Sequence, residues 1–148
     1  MILAFDTETT GIPKNYKAPA TDLDNWPRLV QLGWVLMSDR ETWVSQGNMI
    51  IKPDGWTIPA EAAKVHGIST EKAMDEGLPL REVMSKFIED MNQGTTLLAH
   101  NLAFDEKIVA AEMHRLKSFP TGGKRQRICT MQATTDFCAI KGPYGNKW

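Results

Sequence analysis

The sequence predicts an α/β domain built on a mixed sheet, and three observations carry that prediction. A short, apolar, partly β-branched run, Ile2-Leu3-Ala4-Phe5, opens the chain and has the length of a strand rather than a helix. Two longer strand-like segments face each other across Ser38-Asp39-Arg40-Glu41, as in a hairpin. Beyond them, segments of helical periodicity alternate with further short apolar runs.

Taken in order, strand one covers about 2–6 and leads into a Pro- and Asp-rich loop that runs from Pro13 to Pro27. Strand two covers Leu29–Met37 and pairs with strand three at about 43–52. Pro59 opens a short helix and Gly67 ends it, since proline is tolerated at a helix start and glycine favoured just past its end. Leu80, Val83, Met84, Phe87, Ile88 and Met91 recur at helical spacing, so this stripe, methionines included, faces a core. Strand four covers about 95–99. Asn101 then reads as the N-cap of a helix over Leu102–Leu116, with Val109, Met113 and Leu116 along one side. A last strand spans about 127–131, and no helix follows in the Gly142–Trp148 tail. Trp26, Trp34, Trp43 and Trp56 read as core or hairpin packing. The chain has no internal repeat.

A length of 148 residues suits a single domain, 1–148, with a sizeable core, and 42% apolar content excludes a disordered or fibrous chain. No apolar run approaches the length of a membrane span, and the N-terminus has no basic region of a signal peptide. Cys129 and Cys138 have no zinc-motif spacing, so reduced thiols in a cytoplasmic protein are expected. A net charge of −1 does not advertise nucleic-acid binding. Lys117, Lys124, Arg125 and Arg127 form a local basic stretch, which suits either contact with a phosphate backbone or an ordinary solvated loop.

Chemistry concentrates in Phe5-Asp6-Thr7-Glu8-Thr9-Thr10-Gly11. Side chains alternate along a strand, which puts Asp6 and Glu8 on one side, about 7 Å apart. Carboxylates held together at a strand end raise each other's pKa unless a cation neutralises them, and oxygen donors suit Mg²⁺ or Mn²⁺. Solvated acids at a strand end are the plainer alternative for a bare D-x-E. The Thr9-Thr10-Gly11 turn offers backbone N–H groups and glycine's freedom to a sugar or phosphate. Asp105, in the first turn of its helix, lies at the positive end of the helix dipole and could face the strand-one acids.

The seven-residue string resembles the first motif of the DEDD-superfamily 3′–5′ exonucleases, the group that includes the epsilon subunit of bacterial DNA polymerase III. Ala99-His100-Asn101-Leu102-Ala103-Phe104-Asp105 is similar to the second motif, H-N-x-x-F-D, and Val65-His66-Gly67-Ile68-Ser69 to a nucleotide-contacting loop between the two. The resemblance spans Ile2 to about Thr130. It implies an RNase H-like mixed sheet flanked by helices, with a pair of divalent metal ions, Mg²⁺ or Mn²⁺, as cofactors. Asp6, Glu8 and Asp105 would be the catalytic and metal-binding residues. Thr9, Thr10, Gly11, His66, Asn101 and Phe104 would be the substrate-binding ones. His66 and Phe104 also have plainer roles open to them, as a helix cap and a core residue. The implied partners are a nucleic-acid 3′ end, single-stranded DNA or RNA, and a DNA polymerase catalytic subunit.

The third motif of the His-type branch, H-x-x-x-x-D on a C-terminal helix, is absent after Asp105: the only later histidine is His114, and five residues on stands Phe119. His100 and Asp105 satisfy that spacing, but Asn101 and Phe104 mark the segment as motif two. His66 and Glu71 share it only by coincidence. The expectation is an N-terminal portion of an exonuclease domain, carrying motifs one and two, with its C-terminal helical part missing and little activity alone. The alternatives are a catalytically inactive nucleic-acid- or polymerase-binding module of the same fold, and an RNase H-like resolvase or integrase core, which the His66 loop and the Asn101–Phe104 pattern disfavour.

Overall fold

The computed structural model describes residues 1–38 and 42–139, so Asp39, Arg40 and Glu41 of the expected turn and the 140–148 tail lie outside the described residues. The chain runs β1 (Ile2–Thr9), β2 (Leu29–Met37), β3 (Trp43–Ile50), α1 (Ala60–His66), α2 (Thr70–Glu76), α3 (Leu80–Gln93), β4 (Thr96–Ala99), α4 (Leu102–Leu116), β5 (Gln126–Cys129) and α5 (Thr130–Cys138). The sheet order is β3-β2-β1-β4-β5. The first three strands are an antiparallel meander, and β4 and β5 join parallel to β1.

β1 is the central strand, and its alternation organises the molecule. Leu3, Phe5, Thr7 and Thr9 are buried, while Asp6 is exposed and Glu8 half-buried on the opposite face. Register places Phe5 beside Trp34 and Leu3 beside Leu36, so the inner faces of β1 and β2 form one apolar surface. α3 covers it with the predicted stripe. Its fully buried Phe87 meets the edges of Phe5 and Trp34 at ring separations of 5.4 and 5.5 Å, contacts worth about 0.5–1.5 kcal/mol each beyond area burial. The buried Asp90 carboxylate accepts from Trp34 Nε1 (2.6 Å) and Ser45 Oγ (2.7 Å), tying α3 to β2 and β3.

A β-bulge deflects the end of β2. Glu8 pairs with Gln31 and Thr9 with Leu29, which leaves Val30 as the extra residue. Leu29 and Leu32 join the main core, whereas Val30 packs in a second cluster with Ile58, Ile68 and Ala73 beneath α1 and α2. Through this displaced valine the chain fastens the α1–α2 segment beside the Glu8 end of β1.

Several boundaries differ from expectation. β1 continues through Glu8 to Thr9, because Thr7 and Thr9 bury their small side chains like apolar residues. α2 was not anticipated, although Ser69 caps it by accepting from Lys72 N at 3.1 Å. β5 stops at Cys129 and α5 follows, where a strand to Met131 was expected. Trp26 and Trp34 are buried as predicted, but Trp43 on the edge strand is 64% exposed. Both cysteines are free thiols. Among the described residues no helix is long and apolar enough to cross a membrane.

Candidate active site

Asp6 and Glu8 stand on the uncovered side of β1, as strand alternation requires. Asp105 comes from the first turn of α4 and is 3% exposed. Its Oδ1 accepts from the Thr7 N–H (3.1 Å) and the Thr7 hydroxyl (2.7 Å). The residue between the two β1 acids therefore holds the third acid in place from the other face of the strand.

Asp6 couples electrostatically to both neighbours. Burial pushes the Asp105 carboxyl up to about 6; the Thr7 hydroxyl opposes this and the Asp6 charge adds to it. Glu8 is also raised above the usual carboxylate range, by burial first and Asp6 second, while His66 opposes. Among the described residues no three His, Cys, Asp or Glu side chains are gathered closely enough to hold a metal ion. The pairwise couplings meet at Asp6, but Asp105 directs one oxygen into Thr7. As a donor set, three carboxylates fit a hard divalent cation, whose charge would favour the ionised forms of Glu8 and Asp105 over the proton that burial favours.

His66 ends α1, and Gly67 closes that helix in the left-handed conformation at φ 76°. Its Nδ1 accepts from Ile68 N at 3.2 Å, which leaves Nε2 as the protonated nitrogen of the neutral ring. That Nε2 is buried and has no hydrogen-bond partner among the described residues. His66 thus caps its own helix end and still offers an unused donor beside Glu8.

The other predicted contacts separate. The Thr10 N–H donates to Arg28 O and the Thr10 hydroxyl accepts from Arg28 N, both at 2.9 Å, while the Thr9 hydroxyl donates to Gly11 O at 2.6 Å. These groups build the turn, and the Thr10 backbone donor is engaged there by Arg28 O. Gly11 sits at φ 151° with open space where a Cβ would stand, so its constraint is backbone conformation rather than room. Asn101 occupies the N-cap position of α4, but in the left-handed region (φ 63°) and without a capping side-chain bond. Its amide remains exposed, and the expected cap is not made. His100 bonds Thr130 Oγ1 at 3.1 Å through Nδ1. Phe104 is half-buried against the core and faces the Tyr16 ring, 6.5 Å away. In the basic stretch, Arg125 donates to Met91 O and Gly94 O, and Arg127 pairs with Glu106, so neither guanidinium is free to track a phosphate backbone.

Sequence patterns did not single out Thr7 or Glu112. Glu112 is fully buried on α4, accepts from Arg28 Nε and Leu29 N, both at 3.0 Å, and forms an ion pair with Arg115 Nη1 at 2.9 Å. It locks α4 to the start of β2, and so fixes the helix that carries Asp105. A charged residue on the apolar side of a predicted helix was the only signal for it.

The model of the RNase T exonuclease family matches residues 3–139. The chain belongs to this exonuclease family. The DNA polymerase III epsilon subunit of Rickettsia prowazekii (strain Madrid E) is 32% identical over 117 residues, covering 78% of this chain and 45% of that protein. The exonuclease chain therefore spans about half the length of the curated relative it matches. Among solved structures, product-bound exonuclease I superposes with a TM-score of 0.75 at 16% identity, over 97% of this chain and 35% of the other. The zinc-ion-bound form of an Escherichia coli exonuclease I–single-stranded DNA complex gives 0.74 at 18% identity, over 95% and 30%. At such identities the structures establish the fold: the mixed sheet and helices described above are those of exonuclease I.

Proposed function

We propose that this chain is the N-terminal portion of a metal-dependent 3′–5′ exonuclease domain that hydrolyses phosphodiester bonds at nucleic-acid 3′ ends and releases nucleoside 5′-monophosphates. The observation that carries this is the placement of Asp6 and Glu8 on one face of β1 with Asp105 of α4 tethered to the intervening Thr7, in a chain of the exonuclease family. Asp6, Glu8 and Asp105 would hold Mg²⁺ or Mn²⁺. Divalent ions held there would supply electrostatic stabilisation of the attacking and leaving oxygens in phosphodiester hydrolysis.

The chain's own residues supply positioning. Thr7 holds the Asp105 carboxylate at a fixed orientation through its N–H and hydroxyl. His66, at the end of α1 and electrostatically coupled to Glu8, would lie beside a phosphate or terminal nucleotide brought to that carboxylate. The Asn101 amide and the outer face of Phe104 are exposed beside Asp105 for the last sugar or base, and Gly11, with the Thr9–Thr10 turn, permits close approach of backbone to substrate. Within this chain no H-x-x-x-x-D follows Asp105. A general base contributes about 10²–10⁴-fold, so the 148-residue chain alone should cut slowly. The relatives' name supports a polymerase catalytic subunit as partner, and a cytoplasmic location agrees with that role.

The assignment is tested by calorimetric titration with Mn²⁺. Weak binding should appear in the wild-type chain and vanish in Asp6→Ala. Equal affinity in both proteins removes the site from β1.

A further inference from the structure

The Glu112 carboxylate is fully buried, and the proposed chemistry gives it no part. It follows Asp105 by seven residues, two turns and about 10 Å along the same face of α4. Ile108 and Val109 are buried between them, so the two acids interrupt the apolar stripe that seats the helix on the sheet. Apolar burial is non-directional and fixes contact rather than register. The carboxylates supply direction. Asp105 accepts from Thr7 on β1, while Glu112 accepts from Leu29 N on the adjacent β2. Arg28 Nε and Nη2 reach the two Glu112 oxygens at 3.0 and 3.4 Å. α4 is thus bonded to two neighbouring strands at two levels, which opposes both sliding and rolling.

Arg28 carries the link further. Its backbone N–H and carbonyl hold Thr10, in the turn that follows Glu8. One residue therefore joins the helix of Asp105 to the Glu8 end of β1, and the buried Glu112 is what engages its side chain. A buried ion pair is a weak source of stability, since apolar residues of similar volume often serve as well or better. Directional bonds are what such residues cannot supply. We propose that Glu112 is a positioning residue of the exonuclease site: it sets the register of α4 on the sheet, so that Asp105 stands against Thr7 at the level of Asp6 and Glu8. This rests on the exonuclease assignment and adds to it a residue that acts through Asp105 and touches neither metal nor substrate.

The test uses the protein expressed from its complete gene. Glu112→Gln keeps the shape and an acceptor for Leu29 N but cannot form the ion pair with Arg28. Calorimetric Mn²⁺ affinity and kcat on oligo-dT should each fall by about 10–100-fold, with KM little changed. The Thr7 amide resonance of the metal-free protein reports the bond to Asp105 and should move. Glu112→Met with Arg28→Met removes both charges and keeps the bulk, so it should fold and show the same losses. It decides the matter where Glu112→Gln does not fold. Val83→Ala, in the core on α3, is the stability control. It should lower the melting temperature and leave kcat, Mn²⁺ affinity and the Thr7 signal alone. Folded Glu112 variants with wild-type kcat, Mn²⁺ affinity and Thr7 resonance overturn the positioning role. An equal loss in Val83→Ala, or a double variant that cannot fold, overturns it too. A wild type that binds no Mn²⁺ and leaves oligo-dT intact overturns the exonuclease assignment and this inference with it.

Discussion

At Asp105 two opposing demands meet. Burial favours the neutral acid, while the Thr7 hydrogen bonds favour the carboxylate, and burial prevails, lifting the pKa from 3.8 to about 6. The folded protein therefore binds this proton more tightly than the unfolded chain does. Stability from this group is greatest below the unfolded value and is lost as pH rises through the folded one. Metal-free protein should accordingly lose stability between about pH 4 and 6, and Asp105→Asn should flatten that part of the profile in urea unfolding. A wild-type profile that rises across this window, with the variant parallel to it, contradicts the assignment of the raised pKa to Asp105.

At the scale of elements, α1 carries His66 as its last residue and α2 follows directly after the cap. Neither is long enough to persist alone, so their order derives from the second apolar cluster and from the Gly67 cap. Gly67 at φ 76° faces open space, so Gly67→Ala meets no clash and incurs only the left-handed backbone cost, about 1–2 kcal/mol. We expect that loss in denaturant unfolding, together with a shifted His66 resonance and unchanged signals from Phe87 and Trp34. An unchanged His66 environment would separate the cap from the site. The same elements show what a sequence discloses. Strand alternation at Asp6 and Glu8, the stripe from Leu80 to Met91 and the bounds of Leu102–Leu116 were all legible, because each is a periodicity imposed by burial. α5 was not, since Cys129 at its N-cap makes no side-chain bond and Thr130–Cys138 buries no residue. The Asn101 cap failed for a related reason: asparagine's tolerance of the left-handed region competes with its use as a cap, and here the backbone conformation won. Thr7 was hidden by its place between two louder acids. Its role appears only when α4 folds back onto β1.

For the whole molecule, the net charge of −1 carries no general attraction for nucleic acid, so the proposed activity depends on local features around β1. The two faces of the sheet divide the labour. The covered face holds the core and anchors Asp105 through Thr7, and the uncovered face presents Asp6 and Glu8. The account stands on what that uncovered face does. The most direct measurement is a 5′-labelled single-stranded oligonucleotide incubated with Mn²⁺ and the protein expressed from its complete gene. A ladder shortening stepwise from the 3′ end, with nucleoside 5′-monophosphates released and all cutting lost in Glu8→Ala, is the predicted result. A protein that binds the oligonucleotide yet leaves it uncut with both Mg²⁺ and Mn²⁺ contradicts the account and leaves a binding module in its place.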